Sequence, residues 1–195
     1  MMVKTEMEVF FKKVSQYTQL TQEAEAAWAK LLVRKVYKKN DFLISEGQVP
    51  RKVSFIAEGL FSQYFTASDG NVVIKKFFME SQFAASVVAM LKKEPSIFTI
   101  KALENSVVWE YDFAQFKKLT LEYEDIAAFY ISYMELHWII EKEPLEISFR
   151  YDTASVKYAH FLRSHPALED RLKQHEIASY LGITPTQLSR IRSQK

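Results

Sequence analysis

The sequence contains no cysteine. That one absence removes disulfides, thiolate metal sites, iron–sulfur clusters and cysteine nucleophiles together. Glycine is nearly as scarce, with four residues (Gly47, Gly59, Gly70 and Gly182), so no glycine-rich loop is available to cradle a phosphate. The four histidines, His137, His160, His165 and His175, lie outside the strand-like part of the chain and include no i, i+4 pair. No metal site is expected from them. Long apolar runs are missing too. The longest, Ala84 to Leu91, is broken by Ser86 and falls far short of the ~20 residues that span a bilayer. The opening Met1-Met2-Val3-Lys4 leads into charged and polar residues without the apolar stretch of a secretion signal, so a cytoplasmic protein is expected. Glu141 and Glu143 beside Pro144 read as a solvated helix end, and no nucleophile stands with a base. Neither an enzymatic activity nor a cofactor is expected.

What is present is a chain able to bury a core: 48% of its 195 residues are hydrophobic and 14% aromatic, enough for one large domain and a small one. The net charge of +2 is unevenly spread. Residues 163–195 carry +3, and the rest of the chain carries −1. A basic tail on a near-neutral body is compatible with nucleic-acid contact.

Periodicity separates three regions. From Glu6 to Leu31 apolar residues recur at helical spacing (Val9, Phe10, Val14, Tyr17, Ala27, Leu31), and Thr21 followed by Glu23 reads as a capped helix start. From Val33 to Asp112 the pattern is one of strands. Val53, Phe55 and Ala57 alternate with polar residues, Glu58-Gly59 turns the chain, and Leu60 to Thr66 returns. Asp69-Gly70 marks a second hairpin before Val72 to Met79, and Ser96 to Leu103 and Ser106 to Asp112 complete the set, with a short helical insert at Ser86 to Lys93. Short, evenly spaced strands predict an antiparallel β-roll. Its aromatic residues Phe61, Tyr64, Phe77, Phe83, Phe98 and Trp109 suggest an apolar interior.

The remainder is helical. Ile126, Tyr130, Tyr133, His137 and Ile140 recur at steps of four and three, the seam of a coiled-coil pair, and predict a dimer interface. Pro144 is expected to end or kink this helix because it lacks an N–H. The fold class is therefore α+β. Residues 1–122 would form N-terminal helices and a β-roll, 123–150 a long dimerisation helix, and 151–195 a small helical domain.

That small domain holds the most specific motif. Ile177 and Leu181 mark an inward helix face, Ala178 is small where a second helix must cross, and Gly182 suits the left-handed residue that ends a helix. Thr184, Pro185 and Gln187 then spell an N-cap, a first-turn proline and a capping box. With Leu188 and Ile191 facing inward, the outer face keeps Thr186, Gln187, Ser189, Arg190 and Arg192, without a single acid. Such side chains can hydrogen-bond base edges and phosphates. The pattern predicts a helix-turn-helix in which Gln174, His175, Thr184, Thr186, Gln187, Ser189, Arg190 and Arg192 contact DNA.

The order of helices, roll, long helix and terminal helix pair resembles the Crp/Fnr family of bacterial transcription regulators. The stretches Lys39 to Gly47, Val53 to Gly59 and Ala102 to Ser106 resemble segments of the family's roll, whose cyclic-nucleotide-binding architecture is thereby expected. The resemblance implies a homodimer reading a near-palindromic operator with two recognition helices ~34 Å apart, with RNA polymerase as a further partner. The chain departs from the family at the ligand cassette. Where nucleotide-binding members carry Gly-Glu and Arg-Ser/Thr, it has Ala85-Ser86 and Ser96-Ile97, which lack the guanidinium that would hold a cyclic phosphate. A regulator unresponsive to cyclic AMP is expected. Pro185-Thr186 replace an Arg-Glu pair common in the recognition helix, so the operator is expected to differ. With three residues after Arg192, a β-hairpin wing is not expected. The alternative from another class is a sensory or scaffold roll that binds a ligand or partner but no DNA.

Overall fold

A computed structural model describes residues 2–194, with side chains described from Met7 to Gln194. The Glu6 start expected for the first helical pattern, and Lys195, the last charge of the basic tail, lie outside the described side chains. Two helices open the chain, α1 (Met2–Val14) and α2 (Gln22–Ala29). Thr21 caps α2 as its spacing predicts, accepting from the Ala24 N–H at 3.3 Å.

Eight strands follow: β1 (Val33–Tyr37), β2 (Phe42–Ile44), β3 (Lys52–Glu58), β4 (Phe61–Thr66), β5 (Val72–Phe78), β6 (Phe83–Ala84), β7 (Thr99–Ala102) and β8 (Ser106–Asp112). They form two four-stranded antiparallel sheets, ordered β1-β8-β3-β6 and β2-β7-β4-β5, with α3 (Val87–Lys92) inserted between β6 and β7. This is the expected roll. Gly59 turns β3 into β4 with φ +107°, and a Cβ there would lie 2.8 Å from the Ser106 Cα, so both conformation and space call for glycine.

The strand pattern of β3 departs from simple alternation. Ser54 and Ile56 are as buried as Val53 and Phe55, because both faces of the first sheet are covered. Between the sheets lie Ile44, Ile56, Phe61, Phe78, Ile100 and Val108. On the outer face of the first sheet, α1 and α2 join α4 (Phe113–Glu122) and α5 (Glu124–Glu135) around a knot of rings. The fully buried Trp28 stands 5.2 Å from Phe10, 4.8 Å from Phe116 and 5.0 Å from Phe129. Edge-to-face packing adds to the large apolar area that such rings bury, and truncating Trp28 to alanine would cost about 3–5 kcal/mol.

The outer face of the second sheet is covered by the C-terminal helices α7 (Ala154–Ser164), α8 (Gln174–Leu181) and α9 (Pro185–Ser193). The six aromatics expected to line one interior are thus dispersed. Phe61 lies between the sheets, Phe83 and Trp109 face the N-terminal helices, and Tyr64 and Phe77 face the C-terminal ones. Phe98 is half-buried at the rim under the Lys75 ammonium. A roll coated on both sides needs aromatic residues on its outer faces as much as inside.

Between roll and C-terminal helices runs one long helical segment. It is α5, a π-helical turn at Leu136–Ile140, and α6 (Lys142–Tyr151). Pro144 does not end it. The preceding turn is widened instead, with the Glu141 N–H reaching back five residues to the Leu136 carbonyl, and the proline sits in the first turn of α6. Among the described residues no helix is long and apolar enough to cross a membrane.

Candidate nucleic-acid interface

Helices α8 and α9 are built by the local chemistry their sequence announces. Gly182 ends α8 at φ +67°, in the left-handed region, and Ile183 N–H returns to the Ala178 carbonyl at 3.0 Å. Thr184 then caps α9. Its hydroxyl accepts from the Gln187 N–H at 3.1 Å, while Gln187 Oε1 accepts from the Thr184 N–H at 2.9 Å. Ile177, Ala178, Leu181 and Leu188 are buried against Tyr158, Phe161, Leu168 and Leu172. The pair therefore shares one core with α7 and with Leu60, Ile74 and Phe77 of the roll, and α9 presents its other face outward.

That face differs in part from the one read in the sequence. Thr186, Ser189 and Arg190 are exposed on α9, and His175 is exposed on α8. Thr184 and Gln187 are exposed too, with their polar atoms engaged in the capping box. Gln174 and Arg192 are turned to internal work. Gln174 Nε2 donates to the Pro185 carbonyl at 2.9 Å, tying α8 to α9. Arg192 donates to Tyr158 Oη at 2.9 Å and pairs with Glu169 at 3.3 Å, and Tyr158 in turn donates to Glu169. Arg192 thus closes the helix pair onto α7, an internal role that its place in the motif did not announce. Two further cations near the pair, Arg163 and Lys173, are exposed and form no ion pair with the described residues. Both belong to the basic tail counted in the sequence, but they precede the motif and were not among the residues expected to contact DNA.

Sequence reading missed what holds the pair to the roll. Arg171 donates to Glu80 through Nη1 (3.0 Å) and Nη2 (2.8 Å), and to Glu104 through Nε (3.1 Å) and Nη2 (2.8 Å). Ser179 Oγ donates to the Val72 carbonyl at 2.7 Å and accepts from the Ile74 N–H at 3.0 Å. Burial alone would raise the Glu80 carboxyl, but the Arg171 guanidinium and the Gly59 N–H outweigh it and hold it below its ordinary value. Burial lowers His165, whose ring stacks on Phe161 at 5.6 Å. No sequence signal links partners 67 and 91 residues apart.

The predicted dimer seam faces the chain's own body. Ile126 is fully buried in the aromatic core, and Tyr130 and Tyr133 pack against it. His137 is held between Tyr17 Oη (2.7 Å) and Glu141 (2.6 Å). Only Ile140, at 63% exposure, remains open to a partner. The exposed apolar residues on this segment are instead Ile131, Ile139, Ile140, Ile147, Phe149 and Tyr151.

The cassette positions are closed on themselves. Ala85 and Ser86 are buried, and Ser86 and Ser96 hydrogen-bond through their hydroxyls at 2.8 Å. Ser96 Oγ also accepts from the Phe98 N–H at 3.0 Å. Ile97 projects outward, 67% exposed. Lys92 pairs with Glu94, away from the serines' hydrogen bonds. Among the described residues no group of histidines and carboxylates could hold a metal.

Comparison with known proteins places this geometry. Residues 34–123 match the family described as cyclic nucleotide-binding domain. No curated protein matches the sequence. Among solved structures, FixK2 from Bradyrhizobium japonicum is similar with TM-score 0.70 at 17% identity, over 84% of this chain and 83% of that one. The c-di-GMP responsive global regulator CLP from Xanthomonas campestris gives 0.69 at 10% identity, over 89% and 91%. The Thermus thermophilus catabolite activator protein gives 0.55 at 15% identity, over 90% and 83%. Residues 34–123 therefore form a cyclic nucleotide-binding domain, in a chain that shares its fold with these proteins along most of its length.

Proposed function

We propose that this chain is a sequence-specific DNA-binding transcription regulator of the Crp/Fnr type, acting in the cytoplasm as a homodimer and catalysing no reaction. The observation that carries the reading is α9. It is a capped, proline-started helix whose exposed face, Thr186, Ser189 and Arg190, is polar and free of acids, near the exposed Arg163 and Lys173. In this reading α8 and α9 are a helix-turn-helix and α9 lies in the major groove, with RNA polymerase as a further partner once DNA is bound. The structural neighbours support regulation in general, since CLP is a c-di-GMP responsive global regulator.

The test is binding to mixed genomic fragments across a salt series. Affinity should fall steeply with salt, because each phosphate contact releases counterions. Fragments selected at moderate salt would then give the operator. On such a site Arg190→Ala should cost about 1–3 kcal/mol if the guanidinium reads a guanine. A folded protein with no DNA affinity at low salt would overturn the reading.

One observation favours the alternative of a sensory or scaffold roll. Arg171 and Ser179 fix the helix pair to the second sheet through six hydrogen bonds, as a purely packed appendage would be fixed. The same experiment separates the two.

A further inference from the structure

A second opening into the roll lies away from the cassette. It is a cavity of about 490 Å³ between the two sheets, reached past the loop before β3. None of Ala85, Ser86, Ser96 or Ile97 lines it. Its volume is in the range of small-molecule sites.

Its floor is polar and carries a buried carboxylate. Glu110 on β8 is 4% exposed, and Ser54, its register partner on β3, is fully buried beside it. Tyr37 Oη donates to one carboxylate oxygen at 2.6 Å and Lys52 Nζ to the other at 2.9 Å. A carboxylate offers about four acceptor positions, so about two remain open. Ser54 Oγ has no hydrogen-bond partner among the described residues. A buried charge and a buried hydroxyl both cost free energy unless satisfied, and an apolar pair would close the roll more cheaply. Burial and the bond to Glu110 together raise the Tyr37 hydroxyl, so it remains a proton donor at neutral pH.

The walls and mouth narrow the ligand further. Leu43, Ile44 and Pro50 supply an apolar side against which the C–H face of a ring can lie. Arg51, exposed at the mouth, forms no ion pair with the described residues and stands next in sequence to Lys52. Among the lining residues two cations, Arg51 and Lys52, stand against the one carboxylate of Glu110, with the Asp41 charge acting on Tyr37 from beside the site.

We infer that this cavity binds a phosphorylated monosaccharide, with a ring hydroxyl donating to Glu110 and accepting from Ser54 and with the phosphate at Arg51. A hydroxyl suits the floor better than an ammonium, because Lys52 already occupies one side of the carboxylate. The inference goes beyond the proposed function and does not depend on DNA binding.

Titration of the full chain with glucose 6-phosphate and ribose 5-phosphate, followed by calorimetry and by backbone amide shifts, tests it. At least one sugar phosphate should saturate, with shifts centred on Tyr37, Ser54 and Glu110. The parent sugars, inorganic phosphate, and the sugar phosphate on Arg51→Gln should each bind at least about tenfold more weakly. Ser54→Val should do the same. Arg51→Gln carries the comparison by itself if the valine disturbs folding, since Arg51 is exposed and thermal unfolding can confirm that the variant is intact. No saturation by either sugar phosphate up to about 10 mM would overturn the inference. So would equal affinity for the parent sugar or for inorganic phosphate, or shifts confined to residues 85–97.

Discussion

At the scale of single residues, two hydroxyls decide how the cyclic nucleotide-binding domain can be used. Ser86 and Ser96 hydrogen-bond to each other at 2.8 Å at the cassette positions, and Ile97 points outward beside them. A cyclic phosphate brought there would meet neither a guanidinium nor a free hydroxyl, and it would have to break the pair it found. Isothermal calorimetry with cyclic AMP should therefore show no binding at micromolar concentration, and a micromolar dissociation constant would overturn the prediction. The absent arginine was legible in the sequence, because side-chain type alone settles whether a fixed cation is available. The serine pair was not, since a hydrogen bond between residues ten apart depends on how the insert folds back. Thr184, Pro185, Gln187 and Gly182 were legible for the opposite reason: a cap acts within one turn of chain. Arg192 shows the limit. Its spacing puts it near the outer face, and only the position of Glu169 and Tyr158 on other segments pulls it inward.

At the scale of elements, the segment from Glu124 to Tyr151 shows how a periodicity can be right and its partner wrong. The step of four and three through Ile126, Tyr130, Tyr133 and His137 marks a true packed face, but the surface it packs on is the chain's own first sheet and N-terminal helices. Apolar residues on two faces leave the sequence unable to say which is covered from within. The π-helical turn then shifts the phase, so that Ile131, Ile139 and Ile147 recur every eight residues along the exposed side. If the chain dimerises, this side buries the contact. Ile139→Asp with Ile147→Asp should give a particle of 22.8 kDa by light scattering while keeping the thermal midpoint of a folded monomer. Ile126→Ala should do the reverse, costing about 2–5 kcal/mol of stability without changing association of the folded chain. A doubly substituted chain that stays dimeric would place the contact elsewhere.

At the scale of the whole molecule, the roll was legible because turns and short strands are local signals. Its two coats were not, because they rest on contacts such as Arg171 to Glu80 across 91 residues. Those contacts make the attachment of the C-terminal helices sensitive to acid. His165 and Glu80 both hold folded pKa values below their ordinary ones, His165 through burial, and Glu80 because Arg171 and the Gly59 N–H outweigh burial. As pH falls, the unfolded or detached chain takes up each proton first. The stabilisation is complete above the ordinary histidine value of 6.5, and is lost as pH falls through the folded value of His165 and then that of Glu80. Denaturant titrations should show stability falling as pH drops below about 6.5, with the first part of that loss reduced in His165→Phe. A flat profile there would remove His165 as a cause.

Ser179 carries one consequence beyond attachment. β5 is the edge of the second sheet, and the serine hydroxyl occupies both the Val72 carbonyl and the Ile74 N–H that an additional strand would use. The helix pair therefore also guards an open strand. Whatever frees α8 and α9 from the roll uncovers that edge together with Leu60, Ile74 and Phe77, a ready template for strand exchange and aggregation. A released state of this protein would have to be short-lived, or be covered at once by something else.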